Sequence, residues 1–165
     1  MVGTTLVAPS EDTPRRELWL SNLDLAVPKT HTPLVYYYPA PAPAAATGTD
    51  DGGDRAAFFA PERLEAALAR ALVPFYPLAG RLGVGVGEGG RLRIDCNAQG
   101  ALFVVARADF AGEDVFGDTG GGYEPSPEVR RMFVPFVPSG DPPCVMSMFQ
   151  VSRTRLPALH VCTHT

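Results

Sequence analysis

Residues 72–82 read Leu72-Val73-Pro74-Phe75-Tyr76-Pro77-Leu78-Ala79-Gly80-Arg81-Leu82. Pro74 and Pro77 each lack a backbone N–H and clash with a preceding helical turn, so a helix arriving at this stretch stops there and the apolar residues beyond it form a turn-containing segment. Upstream, Pro61 suits a first helical position, Glu62 and Glu65 favour the positive end of the helix dipole, and Arg70 favours the negative end. Leu64, Ala67, Leu68, Ala71 and Leu72 recur at helical spacing and give that helix one apolar face. Downstream, after a glycine-rich run at 85–90, Leu92, Ile94 and Cys96 alternate with Arg91, Arg93 and Asp95, the period of a strand with one buried and one wet face.

The reading extends outward from there. The turn at 97–100 is expected to lead into a partner strand, and residues 101–107 and 144–151 are nearly continuous apolar runs, as in sheet covered on both faces. Between them, residues 109–143 are rich in Gly, Pro and Asp, with one short helical candidate at 127–132. Towards the N-terminus, a β-branched run at 2–7 is closed by Pro9. Ser21, Asn22 and Asp24 interrupt the apolar residues of 18–25, which predicts a folded-back turn. Residues 34–38, Leu-Val-Tyr-Tyr-Tyr closed by Pro39, predict a buried strand. The Pro/Ala/Gly/Asp tract at 39–54 has no apolar face to offset ordering entropy and predicts a mobile, solvent-exposed loop. The pattern is α/β, a mixed β-sheet with flanking helices.

Composition excludes several function classes. With 14 Lys and Arg against 18 Asp and Glu the net charge is −4, and no run of three basic residues occurs. Nucleic-acid and membrane-surface partners, which need a positive stripe, are therefore not expected. Hydrophobic residues make up 45% and charged residues 19%, as in a globular core. Gly and Pro, 17 each, point to short elements and many turns. No apolar run reaches the length of a membrane helix and residues 1–10 lack a signal-peptide pattern, so the expected location is cytoplasmic. Cys96, Cys144 and Cys162 are odd in number and form no CxxC pair, so they read as reduced, mostly buried thiols.

Gly85, Gly87 and Gly90 match GxGxxG, but that fingerprint must open a helix to present N–H groups to a pyrophosphate, and here a strand pattern follows. The run is expected to be a hairpin turn that binds no dinucleotide. His160, Cys162 and His164 fall two apart, the spacing of one strand face, yet adjacent alternate residues rarely span a tetrahedral site and no carboxylate lies nearby. No metal site is expected. There is no GxSxG elbow and no thiol with an evident His partner. Tyr36, Tyr37 and Tyr38 read either as a stacking surface for a ligand or as core filler.

Four blocks taken in order resemble the N-terminal part of the plant BAHD acyltransferases, most closely the hydroxycinnamoyl-CoA transferase branch. They are Leu18-Trp19-Leu20-Ser21-Asn22-Leu23-Asp24, then His31-Thr32-Pro33 before Val35-Tyr36, then residues 72–82 with their YPLAGR core, and Ile94-Asp95-Cys96-Asn97. The resemblance implies an incomplete N-terminal domain of the CoA-dependent acyltransferase fold over 1–152, a divergent tail at 153–165, and no second domain. It implies transfer of an acyl group from a CoA thioester to a hydroxyl or amine, by a His of an HxxxD motif acting as general base. Acyl-CoA would be a co-substrate, no other cofactor is expected, and the family implies a monomer acting on small molecules.

None of His31, His160 and His164 is followed by Asp four residues on. No catalytic residue is therefore assigned, and the chain reads as a truncated form inactive by itself, or alternatively as a non-catalytic pseudoenzyme or interaction fragment. In the hydroxycinnamoyl branch alternate residues after the HTP triplet line the acceptor pocket, which implies acceptor-binding roles for Thr32 and Tyr36. Leu34 stands where the branch has Ser, and reads as a packing residue. A domain cut before its sheet is complete is expected to leave an unpaired edge and exposed apolar faces.

Overall fold

The β-branched and alternating stretches become strands of two sheets. The computed structural model describes residues 3–27, 33–38, 59–84, 90–109, 144–153 and 159–164. The larger sheet contains β1 (Gly3–Val7), β6 (Ala101–Arg107), β8 (Met148–Arg153), β9 (Leu159–His164) and β3 (Pro33–Tyr38), in that spatial order. Its β6–β8 pair is parallel and the other pairs are antiparallel, so the sheet is mixed, as expected. The smaller sheet runs β2 (Glu17–Trp19), β5 (Leu92–Asp95), β4 (Arg81–Val84) and β7 (Cys144–Val145), all antiparallel.

Helix α2 (Pro61–Ala71) has the expected proline in its first turn, Glu62 at its positive end and Arg70 at its last turn. Phe59, just before the helix, meets the Tyr38 ring of β3 at 5.2 Å, while at the far end the Ser10 N–H, three residues past β1, donates to the Ala69 carbonyl at 2.9 Å. Eleven residues span ~16 Å against ~19 Å for five strands, so the helix covers most of the sheet's width at most. Leu64 and Leu68 pack against a core of Val7, Leu72, Ala79, Ala101, Phe103 and Val151. Ala67 and Ala71, on the same predicted face, are too short to reach the sheet. They remain exposed above a cleft of about 270 Å³, shared with Leu64, Leu68, Phe103, Phe149 and Val151.

Four sequence expectations change. Residues 18–25 are not a turn alone: β2 is followed by the short helix α1 (Asn22–Ala26). The Ser21 side chain accepts the Asp24 N–H and the Asp24 carboxylate accepts the Ser21 N–H, a reciprocal cap that the polar residues predicted only as a break. Strand 34–38 is present but not buried, because it lies at an edge of the larger sheet: Leu34, Val35, Tyr36 and Tyr38 are all exposed. The strand after 97–100 does not pair with the one before it. Ala98 and Gly100 take positive φ and the chain passes from the smaller sheet to the larger. The apolar run 144–151 is split between the sheets at Ser147. Residues 159–164 pair with β8 on one side and with β3 on the other, so among the described residues the sheet ends on β3.

The expectations for 39–54 and 127–132 lie outside the described residues. So do residues 85–89, although the strands flanking them, β4 and β5, are antiparallel neighbours and the element after them is a strand. Among the described residues no helix is long and apolar enough to cross a membrane.

Candidate functional site

The 72–82 block folds into the junction that ties the two sheets together. Leu72 caps α2, the 3-10 turn Tyr76–Ala79 carries Pro77 in its first turn, and Arg81 opens β4. Each residue of the turn's end has a distinct reason. Ala79 is fully buried and its carbonyl accepts the Gly100 N–H at 2.9 Å. Gly80 lies against the Asp95 carbonyl so closely that a Cβ would collide with it. The buried Arg81 guanidinium donates to the Gly80 and Gly100 carbonyls at 2.7 and 2.8 Å, and its burial lowers its pKa. Ser147 Oγ donates to the Leu78 carbonyl at 3.1 Å, while its own carbonyl accepts the Leu102 N–H. The block is thus a structural clamp.

The candidate acceptor residues sit elsewhere, on β3. Register places Tyr36 in one row with Val161 and Val151, and Leu34 in one row with Thr163 and Phe149. Paired residues share a sheet face, so Leu34 and Tyr36 lie on the face that carries the α2 cleft. They are 50% and 52% exposed. Leu34 is therefore not the packing residue expected of it; an edge strand offers no neighbour to cover it. Thr32 lies outside the described residues. Tyr38 meets Phe59, which closes the corner where α2 begins. The surface so formed, aromatic and aliphatic with phenolic hydroxyls at Tyr36 and Tyr38, suits a flat apolar ligand with a polar group at one end.

Among the described residues acid–base chemistry has no comparable constellation. Among the described residues there is no group of three His, Cys, Asp or Glu side chains placed to hold a metal. The backbone of His160, Cys162 and His164 lies in β9, and their side chains lie outside the described residues. Cys96 is a buried free thiol whose pKa is raised by burial, with Asp95 adding to the shift and Arg16 opposing it. Such a thiol is a poor nucleophile. On the second sheet Arg91 stacks over the Trp19 ring at 4.6 Å, donates to the Leu20 carbonyl, and reaches Asn22 Oδ1 at 2.8 Å. Arg93 pairs with Glu17 at 2.7 Å. The wet face expected for this strand is thus occupied by structural contacts.

Sequence reasoning passed over Ser147, Gln150 and Ser152, all buried. Their signal was present as polar residues inside an otherwise apolar run. Gln150 Nε2 donates to Ser152 Oγ at 2.8 Å on the central strand β8.

Comparison with known proteins fits this architecture. Residues 1–154 match the profile of the Transferase family. Putrescine hydroxycinnamoyltransferase 2 of Oryza sativa subsp. japonica is 47% identical over 157 residues, which is 94% of this chain and 45% of that protein. Shikimate O-hydroxycinnamoyltransferase of Nicotiana tabacum is 44% identical over 129 residues, 78% of this chain and 25% of that one. The crystal structure of vinorine synthase superimposes with a TM-score of 0.59 at 20% identity, covering 99% of this chain and 36% of that chain. The chain thus spans less than half the length of the relatives it matches. By the family profile over 1–154, the hydroxycinnamoyltransferase relatives and the shared fold, the chain belongs to the plant BAHD acyltransferase family and matches its N-terminal part.

Proposed function

We propose that this chain is the acceptor-side part of an acyltransferase that moves a hydroxycinnamoyl-type group from a CoA thioester to an amine or hydroxyl, within phenylpropanoid metabolism in the cytoplasm. Residues 1–152 are the N-terminal acyltransferase-like domain and residues 153–165 a divergent tail. The observation that carries this reading is the family match over 1–154 together with an exposed aromatic face on β3, at the positions where the branch lines its acceptor pocket.

In this reaction the acceptor's nitrogen or oxygen attacks the thioester carbonyl, its proton passes to a base, and the CoA thiol leaves. This chain's contribution is to hold the acceptor: the hydroxyls of Tyr36 and Thr32 orient its polar groups, and Leu34 contacts its apolar stem. A Leu here, in place of a hydroxyl, favours an aliphatic amine over a polyhydroxylated ring, because a ring hydroxyl set against Leu34 is desolvated without a partner. Turnover needs a base within about 3 Å of the acceptor proton, or one water away. No His in residues 1–165 stands in an HxxxD setting, so the chain by itself binds without catalysing, as a monomer.

The test supplies residues 1–165 with p-coumaroyl-CoA and putrescine, shikimate or quinate and follows free CoA. Release should not exceed hydrolysis with any acceptor, while p-coumaroyl-putrescine should shift the amide resonances of residues 34–38. Tyr36→Ala should weaken that binding about tenfold, the loss of ~1.4 kcal/mol. Acceptor-dependent CoA release that disappears in His160→Ala or His164→Ala would overturn the reading.

A further inference from the structure

The family profile ends at residue 154, yet strand pairing continues to residue 164. We propose that residues 159–164 are a positioning strand: this otherwise divergent tail fills the slot between β8 and β3 and is what fastens the Tyr36 face to the rest of the molecule.

The topology carries the argument. Among the described residues β3 pairs with no strand except β9, through a register running from Pro33↔His164 to Tyr38↔Leu159. On its other side β9 pairs with β8 over six positions, from Met148↔His164 to Arg153↔Leu159. Both pairings are antiparallel, so β3 runs parallel to β8. If β9 left, β3 would have to move inward by about one strand spacing, ~4.8 Å, and re-form in the less stable parallel ladder. If β3 did not re-form there, the buried residues Val151 and Ser152 would lie on an edge strand. The Tyr38–Phe59 ring contact also ties β3 to the α2 side, but an aromatic pair does not replace a strand ladder.

The occupant of the slot is the chain's own segment. Leu-His-Val-Cys-Thr-His at 159–164 contains no Pro or Gly and no Asp or Glu, so it suits a central strand without an acidic group buried between its neighbours. A central strand uses its backbone groups on both sides. A proline anywhere within it removes one ladder bond and opposes insertion.

Hydrogen exchange on the unmodified chain is the deciding experiment. Amides of 160–163 and 34–37 should be protected together, at least ~100-fold over unstructured rates. In Val161→Pro both segments should lose protection, while 101–107, two strands away, keeps most of it. Unprotected exchange of 160–163 in the unmodified chain overturns the proposal, and so does a Val161→Pro chain in which 34–37 stays protected. If the variant unfolds throughout, the unmodified chain still decides by whether its two segments open together. Sedimentation is the second readout. A monomer supports the proposal, whereas a dimer whose 160–163 protection falls on dilution means that a second copy donates the strand and overturns it.

Discussion

Gly80 and Arg81 show why single residues at the sheet junction have little freedom. A Cβ at Gly80 would collide with the Asp95 carbonyl and come within 3.0 Å of the Pro77 carbonyl, both backbone atoms that cannot swing aside. Gly80→Ala should therefore destabilise the fold by about 2–4 kcal/mol, read from urea unfolding midpoints at constant slope. Arg81→Met keeps the stem and removes the donors to Gly80 and Gly100. It leaves two buried carbonyls short of partners, at a cost of about 2–3 kcal/mol. Cys96 adds a pH dependence. Its folded pKa is raised above the ordinary 9.0 by burial, so the thiol holds its proton longer in the folded chain than in the unfolded one. The stability this provides is fully present below pH 9.0 and is lost as pH rises through the raised folded pKa. Unfolding free energy should fall as pH rises above 9.0, and Cys96→Ala should flatten that fall.

The elements differ in how far their own sequence secures them. α2 depends on burial as much as on its dipole-matched ends: Leu72 at its C-cap is 1% exposed and belongs to the shared core. Leu72→Ala should cost about 2–5 kcal/mol by leaving a cavity that the two sheets cannot collapse around. α1 is the opposite case, with no buried residue and a reciprocal Ser21–Asp24 cap. The Ser21 hydrogen bonds lower the pKa of Asp24, so capping persists above the ordinary carboxylate range and is lost as pH falls through that lowered value. Ser21→Ala should fray α1 at neutral pH, seen as faster Asp24 and Leu25 amide exchange, with little change in global unfolding. These elements were largely legible in advance. α2 followed from five apolar positions and its end charges, and β5 from the alternation around Ile94. α1 was missed because Ser21 and Asp24 read equally well as turn formers until their mutual geometry is known.

Across the whole molecule, two sheets share one clamp built from residues 78–81, Gly100 and Ser147. Trp19, the single tryptophan, sits on the smaller sheet and reports on it alone, whereas far-UV circular dichroism reports on both sheets. The two probes should give coincident urea transitions in the unmodified chain and separate ones in Arg81→Met, where the smaller sheet is released first. What the sequence determined by itself was local: where strands and the long helix form, where prolines stop them, and the family blocks at 18–24, 72–82 and 94–97. The tertiary structure alone decided partners and exposure. Residues 34–38 have the composition of a buried strand, but exposure depends on which neighbours cover a strand, and β3 lies at an edge. Residues 97–100 carry the signals of a turn whether the next strand returns to its own sheet or enters another. That choice was fixed by the Gly100 N–H reaching Ala79 and by β6 finding β1 and β8, pairings between residues far apart in the chain that no local pattern encodes.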